Sequence, residues 1–89
     1  MPSYIVTFEL KDSAVQPGLW EALKSYSSYC PLNATSWAIM TDKKAIEIRD
    51  HLATKLGPDD RLFVIRSGSE GAWRNSYGKE NDEWLKKNL

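Results

Sequence analysis

One cysteine, one histidine and no surplus of either charge narrow what this chain can be. Cys30 has no partner for an internal disulfide, so a reducing cytoplasm is the expected setting. His51 has no second His, and no Ser or Cys nearby in sequence, to suggest a relay or a metal pair. Phosphate-binding glycine motifs, zinc spacings and triad patterns are missing too. Twelve Lys and Arg balance twelve Asp and Glu. Strong nonspecific nucleic-acid binding draws on an excess of basic charge, so the balance argues against it while leaving room for a local basic patch. No apolar run approaches the roughly 18 residues of a membrane span. The opening Met1-Pro2-Ser3-Tyr4 passes straight into a strand-like pattern, and no signal peptide is expected.

What is present suits one small domain. A chain of 89 residues is too short for two domains. At this size only about 60% of the unfolded surface is buried on folding, so association with a second subunit would add to a marginal core. Four Trp and four Tyr supply large aromatic surface for a core or an interface.

Alternation over residues 3–10 predicts a strand, with Tyr4, Val6, Phe8 and Leu10 on an apolar face and Ile5, Thr7 and Glu9 on a mixed one. A polar loop closed by Pro17-Gly18 precedes a helix expected over 18–28, with Leu19, Leu23 and Tyr26 at helical spacing and Trp20 and Ala22 beside them. Residues 29–41 are strand-rich but interrupted. They read as two short strands joined near Asn33 or Ala34, the second over 36–41, with one long bent strand as the alternative. Thr41-Asp42 reads as the N-cap of a helix with an Ala45, Ile48, Leu52, Leu56 stripe, ended by Gly57 as a C′ glycine with Pro58 beyond. A last core strand follows over 61–67. The segment 67–79 is a Gly- and Ser-rich loop carrying Trp73 and Tyr77, and the tail, 80–89, forms a short helix with Trp84 and Leu85 as its contacts. This order suits an α+β antiparallel sheet with two helices on one face.

Four of these segments carry a resemblance over residues 3–67. The run Tyr4 to Leu10 is similar to an opening strand that usually ends in Tyr-Asp. Thr35-Ser36-Trp37-Ala38-Ile39 is similar to a Ser-Val-Phe type strand. Asp42 to Leu56 matches a second helix, and Asp59-Asp60-Arg61-Leu62-Phe63-Val64-Ile65 a "D-x-L-x-V-I" strand. Together they resemble the Cas-two-like proteins, the small CRISPR-associated ferredoxin-fold family, with their SinR-like and VapD-like relatives. The resemblance implies a ferredoxin-like βαββαβ sandwich over 1–67 and a C-terminal extension, 68–89, packing on the core or the partner subunit. It also implies a homodimer whose two sheets face each other. In several members the acidic residue ending the first strand lies at the dimer cleft and joins a divalent-metal phosphodiesterase site for RNA or DNA. In CRISPR adaptation the dimer instead bridges integrase subunits and contacts DNA, without need of that residue. Here Glu9 stands where the family usually has Asp. A carboxylate oxygen suits Mg²⁺ or Mn²⁺, but Glu is one methylene longer and no second acidic residue lies beside it on the strand.

Each candidate has a plainer reading. Glu9 is a catalytic and metal ligand in one, and a strand-end carboxylate pairing with Arg61 or Arg66 in the other. Ser36 reads as a polar face residue, His51 as an exposed helical residue and Cys30 as core packing. Arg61, Arg66, Trp73, Arg74, Tyr77 and Lys79 form a basic, aromatic stretch that can stack bases and hold phosphates, or a loop folded over a sheet edge or dimer seam. Trp73 is expected mostly buried near the subunit interface, with Gly68 and Gly71 providing sharp turns. Three functions are therefore carried forward. The first is a homodimeric nucleic-acid-associated or adaptor module. The second is a metal-dependent endonuclease using paired Glu9, with Mg²⁺ or Mn²⁺ as the only cofactor expected. The third is a protein-interaction regulator of toxin–antitoxin or phage type, favoured by the balanced charge and the many Trp.

Overall fold

The computed structural model describes residues 1–68 and 70–88. Ser69 of the expected loop and Leu89 of the expected tail helix lie outside the described residues. Four strands form one antiparallel sheet: β1 (Ser3–Glu9), β2 (Ser28–Asn33), β3 (Ser36–Met40) and β4 (Arg61–Arg66). Helix α1 (Gln16–Lys24) connects β1 to β2, α2 (Ala45–Ala53) connects β3 to β4, and α3 (Gly78–Asn88) follows β4. The strands lie in the order β2-β3-β1-β4, so β3 is inserted between β1 and β2. Two interleaved β-α-β crossovers in this order make a ferredoxin-like α+β sandwich.

Strand alternation sorts the residues onto two faces. Tyr4, Val6 and Phe8 of β1 and Trp37 and Ile39 of β3 are buried against Leu19, Ala22 and Leu23 of α1 and Ile48 and Leu52 of α2. The opposite face carries Ile5, Cys30 and Ala38, and there Leu85 and Trp84 of α3 close a second cluster. Helix α3 is fastened at both ends of that contact. Trp84 Nε1 donates to Ser28 Oγ at 2.6 Å, and Ser3 Oγ donates to the Asn88 carbonyl at 3.4 Å. The tail helix thus forms as expected, starting two residues earlier.

Several expected boundaries are corrected. Pro17 starts α1 from inside its first turn rather than closing a loop, since its missing N–H costs nothing there. The helix then stops at Lys24, so Ser28 belongs to β2. The region 29–41 is two strands, as expected, turning at Ala34-Thr35. Thr41 does not cap α2. Its Oγ1 accepts the Lys43 N–H at 3.2 Å in a turn that precedes the helix, while its own N–H donates to the Pro2 carbonyl at 3.1 Å and prolongs the sheet. The helix begins instead at Ala45, where the Glu47 carboxylate accepts the Lys44 N–H at 3.0 Å. Nor is Gly57 a left-handed C′ residue. Among the described residues only Asn75 (φ 58°) and Gly78 (φ 86°) have left-handed backbones. Helix α2 ends at Ala53 with Thr54 as its cap, and the Gly57 N–H donates to Asp60 Oδ2 at 2.7 Å. Asp60 Oδ1 also accepts the Lys11 N–H at 2.8 Å. These backbone bonds from Lys11 and Gly57 hold its carboxyl below the ordinary carboxylate value. The Asp of the "D-x-L-x-V-I" segment therefore ties two loops together.

Candidate functional site

Helix α3 lies over the β2 and β3 half of its face and leaves the β1 and β4 half open. There Phe63 is 63% exposed and Ile65 57% exposed, beside Thr7 and Ile5 of the paired strand. Glu9 ends β1 on this same face, directly across from Arg61, whose Nε is 3.6 Å from its carboxylate. A shallow hollow of about 200 Å³ adjoins the pair, lined by Thr7, Thr35 and Phe63. The expected ion pair of Glu9 thus forms with Arg61. Among the described residues no group of three or more His, Cys, Asp or Glu stands together. Glu9 alone, already facing a guanidinium, does not make a divalent-cation site within one chain.

The six residues of the expected basic and aromatic stretch do not converge. Arg61 projects with Phe63 and Ile65 on the open face, whereas Arg66 pairs with Tyr4 and projects toward the helix-covered side. Trp73 and Arg74 border a cavity of about 360 Å³ over the sheet, closed beneath by Ile5, Leu32 and Leu85. Tyr77 lies across the β2 edge in a different groove, with Trp20 and Lys24 of α1. Lys79 is in the first turn of α3.

Asp82 of α3 organises the loop. Its Oδ1 accepts from Trp73 Nε1 at 2.8 Å and from Ser76 Oγ at 3.2 Å, and its Oδ2 lies 3.0 Å from Lys86 Nζ. The Trp73 bond first, then the Lys86 one, hold the carboxyl below its ordinary value. Trp73 is consequently folded over its own sheet, 37% exposed in the single chain. Gly68 and Gly71 do not supply the turns, because the left-handed positions are Asn75 and Gly78.

The remaining candidates have structural partners. Ser36 Oγ donates to Asn33 Oδ1 at 2.7 Å and closes the β2–β3 turn. Cys30 is fully buried, and burial pushes its thiol up, away from the reactive thiolate. His51 is exposed on α2, but its Nδ1 shares a hydrogen bond with Tyr26 Oη at 2.7 Å. Helical spacing alone did not reveal this pair, because the two residues lie on different helices. Sequence reasoning also missed a run of rings at the β2 edge. Phe8 and Trp20, and Trp20 and Trp37, have centroids 5.3 Å apart, and Tyr29 and Trp37 are 5.8 Å apart. Alternation gives part of this signal, since it puts Tyr29, Pro31 and Trp37 on one face.

No family model and no curated protein matches this chain. Among solved structures it is similar to the crystal structure of a hypothetical protein, TT1823, from Thermus thermophilus. The TM-score is 0.69 at 18% identity, over 83% of this chain and 90% of that one. The likeness is one of fold.

Proposed function

We propose that the chain works as a homodimeric, Cas-two-like module that associates with nucleic acid or adapts another protein to it. The observation that carries this reading is the half-open sheet. Phe63 and Ile65 are exposed on the face that α3 leaves bare, in a chain too small to be indifferent to added burial. A second copy packed there would cover both side chains and set the two Glu9–Arg61 pairs on the same side of each sheet. The exposed Arg74, Tyr77 and Lys79 would provide phosphate and base contacts outside that seam. A reducing cytoplasm suits the single buried thiol.

The test joins assembly to binding. Sedimentation at several concentrations should show a dimer, and Phe63→Ser combined with Ile65→Ser should give a folded monomer. Duplex and single-stranded DNA and RNA should bind at low salt and weaken steeply as salt rises. A wild-type protein that stays monomeric and binds no nucleic acid at low salt would overturn the proposal. The same double variant separates the protein-interaction reading, in which a different protein covers this face.

The position of Glu9 on the open face favours a second reading, a Mg²⁺- or Mn²⁺-dependent endonuclease assembled from two subunits. Cleavage lost in Glu9→Ala, with the dimer intact, would support it. Equal cleavage by both proteins would assign the activity to a contaminant.

A further inference from the structure

The groove at the β2 edge lies on the other side of the molecule from the open sheet face. It measures about 390 Å³, within the usual range for a small-molecule site. Trp37 is buried and forms its floor, Trp20 and Pro31 border it, and Tyr77, 53% exposed, hangs over it from the loop before α3. Tyr29 continues the run of rings along β2. A soluble domain gains little by keeping Tyr77 beside this surface without closing it, so the exposed ring is available for stacking.

Two polar groups flank the rings. Lys24 ends α1 at the groove and joins no ion pair among the described residues. Asn33 is held in one orientation, because its Oδ1 accepts from the Thr35 N–H, the Thr35 hydroxyl and the Ser36 hydroxyl at 3.0, 3.2 and 2.7 Å. The backbone N–H fixes which end of the amide is oxygen. The Asn33 amide stands between this groove and the cavity beneath α3, and its Nδ2 has no protein partner among the described residues. The groove thus combines aromatic faces and an ammonium, with the Asn33 amide at its rim.

We infer that this groove takes one unpaired nucleobase of a single-stranded nucleic acid, stacked against Tyr77 and Trp20, with the adjoining phosphate on Lys24 and a base carbonyl or ring nitrogen on Asn33. A base has a flat π face, acceptor edges and a neighbouring anion, and the groove matches all three. A paired base inside a duplex offers none of its faces, so single strands are the preferred ligand. A proline-rich peptide can also use aromatic grooves, but it brings no anion for Lys24. The site rests on the nucleic-acid reading above and gives that reading a location and a strand preference.

The probe is a fluorescently labelled oligothymidylate of about 8 nucleotides, in the range that OB-fold single-strand binders occupy. It is compared with a hairpin duplex and with decaproline, read by anisotropy and by tryptophan quenching. The single strand should bind more tightly than the duplex. Tyr77→Ala should weaken it about tenfold, and Lys24→Ala should reduce the salt slope by about 0.7. Circular dichroism checks folding in both variants. If single strands bind but neither variant has an effect, while Arg74→Ala does, the nucleic-acid reading survives and this site is wrong. Tighter binding to the duplex would also overturn the site. No binding of any nucleic acid at low salt would overturn both. Quenching by decaproline alone, abolished in Tyr77→Ala, would make the groove a peptide site.

Discussion

On one face of the sheet, Val6, Ile39, Leu19, Leu23, Ile48 and Leu52 are completely shielded from water by two helices. On the other, a single helix contributes Leu85, and two strands away Phe63 and Ile65 remain in solvent. Both faces come from the same strands, so alternation does not account for the difference. Coverage does. Connections α1 and α2 must return across the sheet to join parallel strands, and they pack on it as they cross. Helix α3 has no such obligation and is held by Leu85, Trp84 and a few hydrogen bonds. The helix-covered face is where the fold is decided, and the other is where association can be added.

The sharpest way to break this comparison is a cavity on each side. Leu52→Ala removes a fully buried side chain from the face that both helices cover. It should cost about 3–4 kcal/mol, toward the upper part of the usual range for such truncations, measured by urea unfolding. Leu85→Ala should cost less, about 2 kcal/mol, because its cluster is smaller and the partly buried Ile5, Leu32 and Trp84 around it can close over the gap. Hydrogen exchange would sharpen the contrast. In Leu85→Ala the α3 amides should exchange faster while those of β1 and β3 stay protected. Equal acceleration throughout would mean that α3 belongs to the same cooperative unit as the core.

This asymmetry also explains how much could be read from the residues alone. The four strands and both core helices follow from periodicity, because burial enforces it, whereas the tail helix was read only from its two adjacent apolar residues, Trp84 and Leu85. The start of α2 was misplaced because Thr41-Asp42 looks like a cap, whereas the Thr41 Oγ1 closes a turn onto the Lys43 N–H and the helix starts only after Lys44. The pairing of Glu9 with Arg61 was among the expected alternatives, and register selects it over Arg66. The basic stretch was legible as composition but not as a surface. Arg61 and Arg66 are five residues apart in one strand, an odd spacing that puts them on opposite faces. The placement of Tyr77 against Trp20 depends on the path of the loop before α3, which no local period specifies.

The smallest effect concerns the loop that joins the two regimes, and its sign follows from the charge on Asp82. Trp73, Lys86 and Ser76 all bond to the Asp82 carboxyl, and each bond favours its ionised form, which lowers it from the ordinary 3.8. A carboxyl depressed in the folded state stabilises the fold fully above its unfolded value, and that contribution is lost as pH falls through the lower folded value. The loop should therefore stay anchored at neutral pH and loosen only in acid below 3.8. The carboxyl is only partly shielded, so solvent still screens the interaction and global stability should change little. The indole N–H resonance of Trp73 is the sensitive reporter. Titrated from about pH 6 to 2.5, it should shift with a midpoint below the ordinary carboxylate value. Asp82→Asn should remove that titration while leaving the β1 and β3 amides as protected as before. A midpoint at or above the ordinary value would mean that the Trp73 bond does not favour the charged carboxylate, and that something other than Asp82 holds the loop over the sheet.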